Sequence, residues 1–387
     1  YLLCNTDEKS LSFYDFFQLI KPFECYLYII HMNNKHKQKE LIMNKLTKIG
    51  VSALCGSLAA VSAANAGALT VKGGATATWS SNEGDVTGNP IGLSSGITMT
   101  GSGELDNGTT FALTLTQADQ SAYSTGNLTI TTPSLGAFRI GQTGGGLDRL
   151  DDMMPTAWEE TTGTSLGTGI ATVNGVAGSA NVEWSVPADM LMDGMSAHVA
   201  FSPSGAGSAL VNDKGVGGDN GGVGSGWDLV VQHSGLYDGL NVFAGYSEID
   251  QAAAADAAGG ALGGYDGDRI QKAMGATLAM GAITVGYQVS EDGKQTRAAA
   301  TTSLYDNTAY GISFAVNDDL SISYGSHEST RELTSAAASI TAEATSLQIA
   351  YSMGGASIKI AETSGDNLAY TTGSNKDATT LALSLAF

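Results

Sequence analysis

Five carboxylates and one guanidinium crowd a single stretch of this chain. Asp148, Asp151, Asp152, Glu159 and Glu160, with Arg149 among them, lie in the first half of residues 143–178. Carboxylates packed this densely concentrate cations and repel anions wherever the space around them is narrow. If the stretch folds into a channel, they narrow and charge the pore. The alternative is a solvated acidic loop on the surface. Either way the stretch is long for a structureless connection, and such loops are usually functional or disordered.

Other chemistry is thinly represented. The pattern G-x-S-x-G occurs as "GLSSG" (92–96) and "GTSLG" (163–167). Neither follows a strand into a helix, which a nucleophile elbow requires. His198, His233 and His327 are scattered, without metal-ligand spacing. "GGVGSGWDL" (221–229) matches one turn of a calcium-binding Gly/Asp repeat, but one copy is not an array. No catalytic residue, resident metal or cofactor is expected, although the acidic loops offer carboxylates to which Ca²⁺ could bind weakly.

The elements that must position the acids are strands. "FALTLT" (111–116) sets Phe111, Leu113 and Leu115 against Ala112, Thr114 and Thr116. "AYGISFAV" (309–316) and "LALSLAF" (381–387) alternate in the same way. Seven connections are short: 106–108, 134–136, 187–194, 236–239, 280–281, 317–319 and 354–355. Eight are longer and rich in Gly, Asp and Ala: 80–92, 119–126, 143–178, 203–225, 250–268, 291–302, 329–342 and 364–377. Short and long alternate along the chain, and fifteen connections join sixteen strands. An even strand number with tight turns at one end and long loops at the other is an outer-membrane barrel layout. The sheet must close, because hydrocarbon offers no partner to an open edge. "LALSLAF" is expected to pair with "LTVKGG" (69–74) as the closing strand. Trp79, Trp184, Trp227, Tyr246, Tyr287, Tyr310, Tyr324, Tyr351 and Phe387 fall on the apolar parity or at strand ends, as interface girdles require.

Parity also assigns the charged wall. Phe138 and Ile140 flank Arg139, and Ile358 and Ile360 flank Lys359, so both bases face the lumen, as does Lys72. A base turned to lipid at mid-depth would cost about 2–4 kcal/mol. Glu104 and Glu183 face inward too, Glu104 close to a turn.

The front of the chain reads differently. Asn44, Lys45 and Lys48 precede the apolar run "IGVSALCGSLAAVSA", and Ala64-Asn65-Ala66 supplies an A-x-A cleavage site. Residues 43–66 are therefore expected to be a secretory signal peptide, cut after Ala66. Residues 1–42 are expected to be a translated upstream leader. Lys39-Glu40 can be encoded as a ribosome-binding sequence at a suitable distance from Met43. The remaining domain, 67–387, carries 11 Lys and Arg against 33 Asp and Glu. That balance argues against nucleic acid as a partner. All three cysteines precede residue 67, so the domain needs no disulfide.

Several segments resemble the Gram-negative general porins, most closely the alphaproteobacterial type. "GELDNGTTFALTL" (103–115) resembles the family's second hairpin, "SLGAFRIGQTGGGLD" (134–148) the strand leading into its third loop, and "LDDMMPTAWEETTG" (150–163) the acidic loop. Phe387 is similar to the family's signal for the barrel-assembly machinery. The resemblance implies a homotrimer in outer-membrane lipid that passes small polar solutes. General porins also set an arginine cluster opposite the acidic loop, and few bases are available here. The fold expected is all-β: a transmembrane antiparallel β-barrel of about 16 strands, its long third loop folded into the lumen. The function expected is a cation-preferring diffusion channel. The alternatives are a barrel enzyme of lipase or protease type, or a non-conducting surface protein or adhesin.

Overall fold

The alternating segments close into one barrel. The computed structural model describes residues 67–387 except 84–88, 120, 142–143, 164–165, 206–222, 252–266, 295–301 and 335–337. The expected leader, the signal segment and its cleavage residues Ala64 and Ala66 lie outside the described residues. Among the described residues the first eight strands are β1 Leu69–Asn82, β2 Ile91–Glu104, β3 Thr110–Ala118, β4 Ser121–Thr132, β5 Gly136–Gly141, β6 Asn181–Ser185, β7 Met195–Ser202 and β8 Val223–His233. The second eight are β9 Leu240–Gln251, β10 Arg269–Met280, β11 Ile283–Gly293, β12 Thr302–Ala315, β13 Leu320–Leu333, β14 Ile340–Met353, β15 Ala356–Asp366 and β16 Lys376–Ala386. Each pairs antiparallel with its sequence neighbours, and β1 pairs with β16. Among the described residues every strand thus has two partner strands, and the sheet closes on itself.

One face of the sheet is an apolar belt. Leu93, Leu113, Val182, Tyr287, Ile312, Leu347, Ile360 and Leu383 are all exposed on it. In water such a surface would aggregate, whereas in lipid it costs nothing to leave uncovered. The other face is polar, with hydroxyl pairs such as Thr76 to Ser384 at 2.9 Å and Thr100 to Thr114 at 3.3 Å. Trp79, Tyr287, Tyr310, Tyr324, Tyr351 and Phe387 are exposed on the apolar side. Trp184 is tied to the turn after β4, its Nε1–H donating to the Leu135 carbonyl at 2.7 Å.

All seven expected tight turns lie between consecutive strands. In the β2–β3 turn the Gly108 N–H bonds the Leu105 carbonyl at 2.9 Å, and Gly108 sits at φ 78°, a region costly for any residue with a Cβ. Two expectations need correction. The connection expected at 119–126 is not long: β3 ends at Ala118, β4 begins at Ser121, and Ala118 opposes Ser121. The small polar residues there suggested a loop, but ladder bonds are made by the backbone and need no apolar side chains. Asp119 turns the chain at φ 51°, and its Oδ1 accepts the Ser95 N–H at 2.8 Å. The closing strand also pairs further along β1 than expected. Its register runs from Gly74 opposite Ala386 to Asn82 opposite Ala378, with Phe387 bonded to Gly73, while residues 69–72 are paired with β2.

The longest connection runs from Gly141 to Asn181 and contains a 3₁₀ turn, Gly146–Leu150. It meets the strands on the face opposite the apolar belt. Leu147, Leu150 and Val173 form a buried cluster with Val230, Phe243 and Ala273 of β8, β9 and β10, with Met153 and Met154 against it. The Asn174 and Gly175 N–H groups donate to Gln271 Oε1 of β10 at 3.3 and 2.5 Å. The Ala157 N–H donates to Ser323 Oγ of β13 at 2.8 Å. Gly286, Gly311 and Gly325 face the same segment, and a Cβ on any of them would meet Pro155, Met154 or Thr161. Glycine in these strands admits the close approach of another chain segment.

Candidate functional site

Glu183 gathers the first charged cluster. Its carboxylate on β6 is almost fully buried (1%) and accepts the Gly146 N–H at 2.6 Å and the Arg149 Nε–H at 3.2 Å. Arg149 Nη2 donates to its other oxygen, making the pair bidentate. Arg139 lies opposite Glu183 in the β5–β6 register, and its Nη1–H donates to the Gly144 carbonyl at 2.8 Å. Two residues assigned to the wall, Arg139 and Glu183, therefore meet a residue assigned to the loop, Arg149. Asp148 stands close enough to both arginines to feel their charge, yet burial, with Asp152 adding to it, raises its carboxyl above the usual range.

The second cluster is acidic. Asp151, Asp152 and Glu160 bring carboxylate oxygens within 4.8 Å of one another. Three like charges at that distance repel strongly, and a shared proton or a bound cation relieves them. The hydrogen bond that the protonated Glu160 donates to Asp152, then burial, pushes Glu160 up to about 8. Burial raises Asp151 to about 7, against the opposing hydrogen bond from Thr172 Oγ1 at 3.1 Å. Glu159 stands apart. Burial raises its carboxyl and the Lys359 ammonium opposes the shift. The same ammonium lies 5.7 Å from the centre of the Trp158 ring. Lys359 thus belongs with Trp158 and Glu159, away from Arg139.

The remaining assigned residues stay outside these clusters. Lys72 is exposed opposite Thr98 on β2, and Glu104 is exposed at the turn end of β2 opposite Thr110. Phe387 follows β16, its N–H and carbonyl both bonded to Gly73.

Two groupings were not picked out from the sequence. Arg269 forks onto Asp292 at 2.8 and 2.9 Å, and Lys294 Nζ reaches the same carboxylate at 2.5 Å. Beside them the Tyr305 and Tyr370 rings are 5.0 Å apart, and Arg331 Nη2 donates to the Tyr370 carbonyl at 3.2 Å. These bases supplement the wall cluster that seemed too poor. Parity against Ile270 and Tyr324 was the available signal. The second grouping is Ser185, His198 and Glu183: Ser185 Oγ lies 2.9 Å from His198 Nδ1, and Glu183 Oε1 lies 4.0 Å from that same nitrogen. Only the β6–β7 register brings them together, with Ser185 opposite His198.

The comparisons with known proteins agree with this architecture. The family model described as Gram-negative porin matches residues 50–387. No curated protein matches the chain by sequence. Among solved structures, OmpT, an outer membrane protein of Vibrio cholerae, is 12% identical with a TM-score of 0.60, covering 83% of this chain and 98% of its own. The Salmonella typhi OmpF complex with daunomycin is 14% identical with a TM-score of 0.58, covering 83% and 98%. The anion-selective porin from Comamonas acidovorans is 12% identical with a TM-score of 0.60, covering 83% and 99%. At such identities the structural likeness speaks for the fold, and the family match speaks for the kind of protein. This chain belongs to the Gram-negative porin family, an outer-membrane channel in a Gram-negative bacterium.

Proposed function

We propose that the chain is a passive diffusion porin for small hydrophilic solutes and ions, that it prefers cations, and that the described part of the connection between β5 and β6 lies in the lumen as its constriction. The observation that carries this reading is the path of the longest connection. Its backbone is bonded to polar-face side chains from β8 to β14, and it carries Asp151, Asp152 and Glu160 as a group that, among the described residues, forms no ion pair with a base. Asp148 and Glu159 each stand near bases that offset them, so the triad supplies the net charge a passing ion meets. A homotrimer fits the reading, since one solved form of the Vibrio cholerae relative is a trimer. The Comamonas relative is anion-selective on a similar barrel, so selectivity must follow the charges on the chain and not the fold.

A barrel hydrolase has one observation on its side, the approach of Ser185 to His198. A relay needs the acid on one ring nitrogen and the serine on the other. Here both address Nδ1, so Glu183 does not orient a base toward the hydroxyl. We read the protein as no enzyme.

The test is the reversal potential of the purified protein in a planar bilayer under a KCl gradient. The expected sign is that of a cation-selective pore, moving toward zero in the triple variant Asp151→Asn, Asp152→Asn, Glu160→Gln. Anion selectivity in the wild type would mean that the wall bases dominate. An unchanged potential in the variant would place the loop outside the conduction path.

A further inference from the structure

Two buried side chains of the wall grip the longest connection by its backbone. Asp228 on β8 is fully buried (0%). Its Oδ2 accepts the Leu147 N–H at 2.8 Å and the Val176 N–H at 3.1 Å, with Oδ1 at 3.2 Å from the same Val176 nitrogen. Leu147 lies on the outgoing limb of the connection and Val176 on the returning one, so one carboxylate joins both feet. A carboxylate ringed by backbone N–H groups makes charge-assisted bonds, stronger than neutral ones.

The limbs are shaped around this acid. Gly146 and Gly175 precede the two donors at φ 57° and 54°, and a Cβ on either would run into the Asp228 carboxylate. The feet are also tied to each other, Gly144 N–H to the Ala177 carbonyl at 2.9 Å. At the far end Gln348 on β14, 1% exposed, repeats the arrangement with neutral groups. Its Oε1 accepts the Trp158 and Glu159 N–H groups at 3.0 and 3.1 Å, and its Nε2–H donates to the Glu159 carbonyl at 2.7 Å. The acidic segment is strung between these two holds.

We propose that Asp228 and Gln348 are positioning residues, a two-point backbone clamp that fixes where the acidic segment stands. Neither touches a passing solute. The inference rests on reading the connection between β5 and β6 as the constriction, and it adds that the wall sets the aperture. A connection held only by its own packing would not need two buried wall side chains whose oxygens each accept two of its backbone N–H groups.

Amide hydrogen exchange on the full protein in detergent micelles tests the clamp directly. In Asp228→Asn the Leu147 and Val176 amides should exchange about tenfold faster, equivalent to ~1.4 kcal/mol, while the amides of β8 and β9 keep their wild-type rates. In Gln348→Leu the same should hold for Trp158 and Glu159. In bilayers both variants should spend about tenfold more time in partly closed states, because a released connection samples the lumen. Unchanged loop amides would overturn the clamp, and so would strand amides opening in parallel, which marks a general loss of wall stability. Should Asp228→Asn fail to assemble, Gly175→Ala presses on the same carboxylate from the loop side and should speed the same two amides. If the wild type passes no current, the pore reading falls while the exchange comparison still decides the clamp.

Discussion

Glu160 does not carry the charge its residue type suggests. The hydrogen bond its protonated form donates to Asp152 and burial together push it up to about 8, and burial brings Asp151 to about 7. A carboxyl raised in this way is protonated below its shifted value and ionised above it. Near neutral pH the triad is thus well short of three charges, and the fixed charge facing an ion grows with pH. Cation preference should therefore strengthen as pH rises from about 6 to about 9, read as reversal potential in a KCl gradient. The variant with all three residues neutralised should stay flat across the same window. The linkage has the opposite sign for stability. Groups whose folded value is raised bind more protons folded than unfolded, so the packing they support is most favoured below the ordinary carboxyl range near 4, weakens as pH rises from there, and has lost that contribution above about 8. A selectivity that rises while the loop loosens would show both effects in one titration.

At the scale of elements, the strands and seven tight turns were legible because alternation with a period of two is a local signal. Parity was legible for the same reason, and it set Arg139, Lys359 and Glu183 on the polar face without knowledge of any neighbour. What each inward residue meets was not legible. Gln348 grips Glu159 across a separation of 189 residues, and Ser323 meets Ala157 across 166, so no spacing encodes either contact. The turn at Asp119 failed for a different reason. Thr, Ser, Gln and Asp resemble loop composition, yet the pair Thr116 to Thr125 continues the ladder up to a register shift before Ala118. Asp119 holds that turn at φ 51° and caps Ser95. Asp tolerates the left-handed region because its short side chain bonds locally, whereas Ala pays roughly 1–2 kcal/mol there. Asp119→Ala should accordingly lower the unfolding temperature of the barrel by a few degrees, and Asp119→Gly should lose only the cap. Equal melting of the Ala and Gly variants would mean that backbone strain is not what Asp119 manages.

On the scale of the whole molecule, closure decides whether the barrel can exist in lipid. The β1–β16 seam joins the two ends of the strand series, and its register spans Gly74 opposite Ala386 to Asn82 opposite Ala378. Phe387 extends it by one more pair, its carbonyl accepting the Gly73 N–H at 2.8 Å and its N–H donating to the Gly73 carbonyl at 2.9 Å. The ring rests on Gly73, where a Cβ would collide with it, and is otherwise 80% exposed. Removing Phe387 therefore takes two hydrogen bonds, at about 1 kcal/mol each, from a seam that keeps all nine pairs of its ladder. The finished barrel should melt within a few degrees of wild type. Recognition during assembly is another matter: if the barrel-assembly machinery reads the last strand, as the family resemblance implies, it meets this residue before the seam exists. Deletion of Phe387 should lower outer-membrane levels several-fold and build up periplasmic protein, while the fraction that does assemble keeps near-normal thermal stability. Phe387→Leu separates the two contributions, since it keeps the backbone pair and loses the ring. If that variant assembles as poorly as the deletion, the ring is what the machinery reads. If the deletion itself reaches wild-type levels in the outer membrane, the assembly role is wrong and Phe387 is only the last rung of the seam.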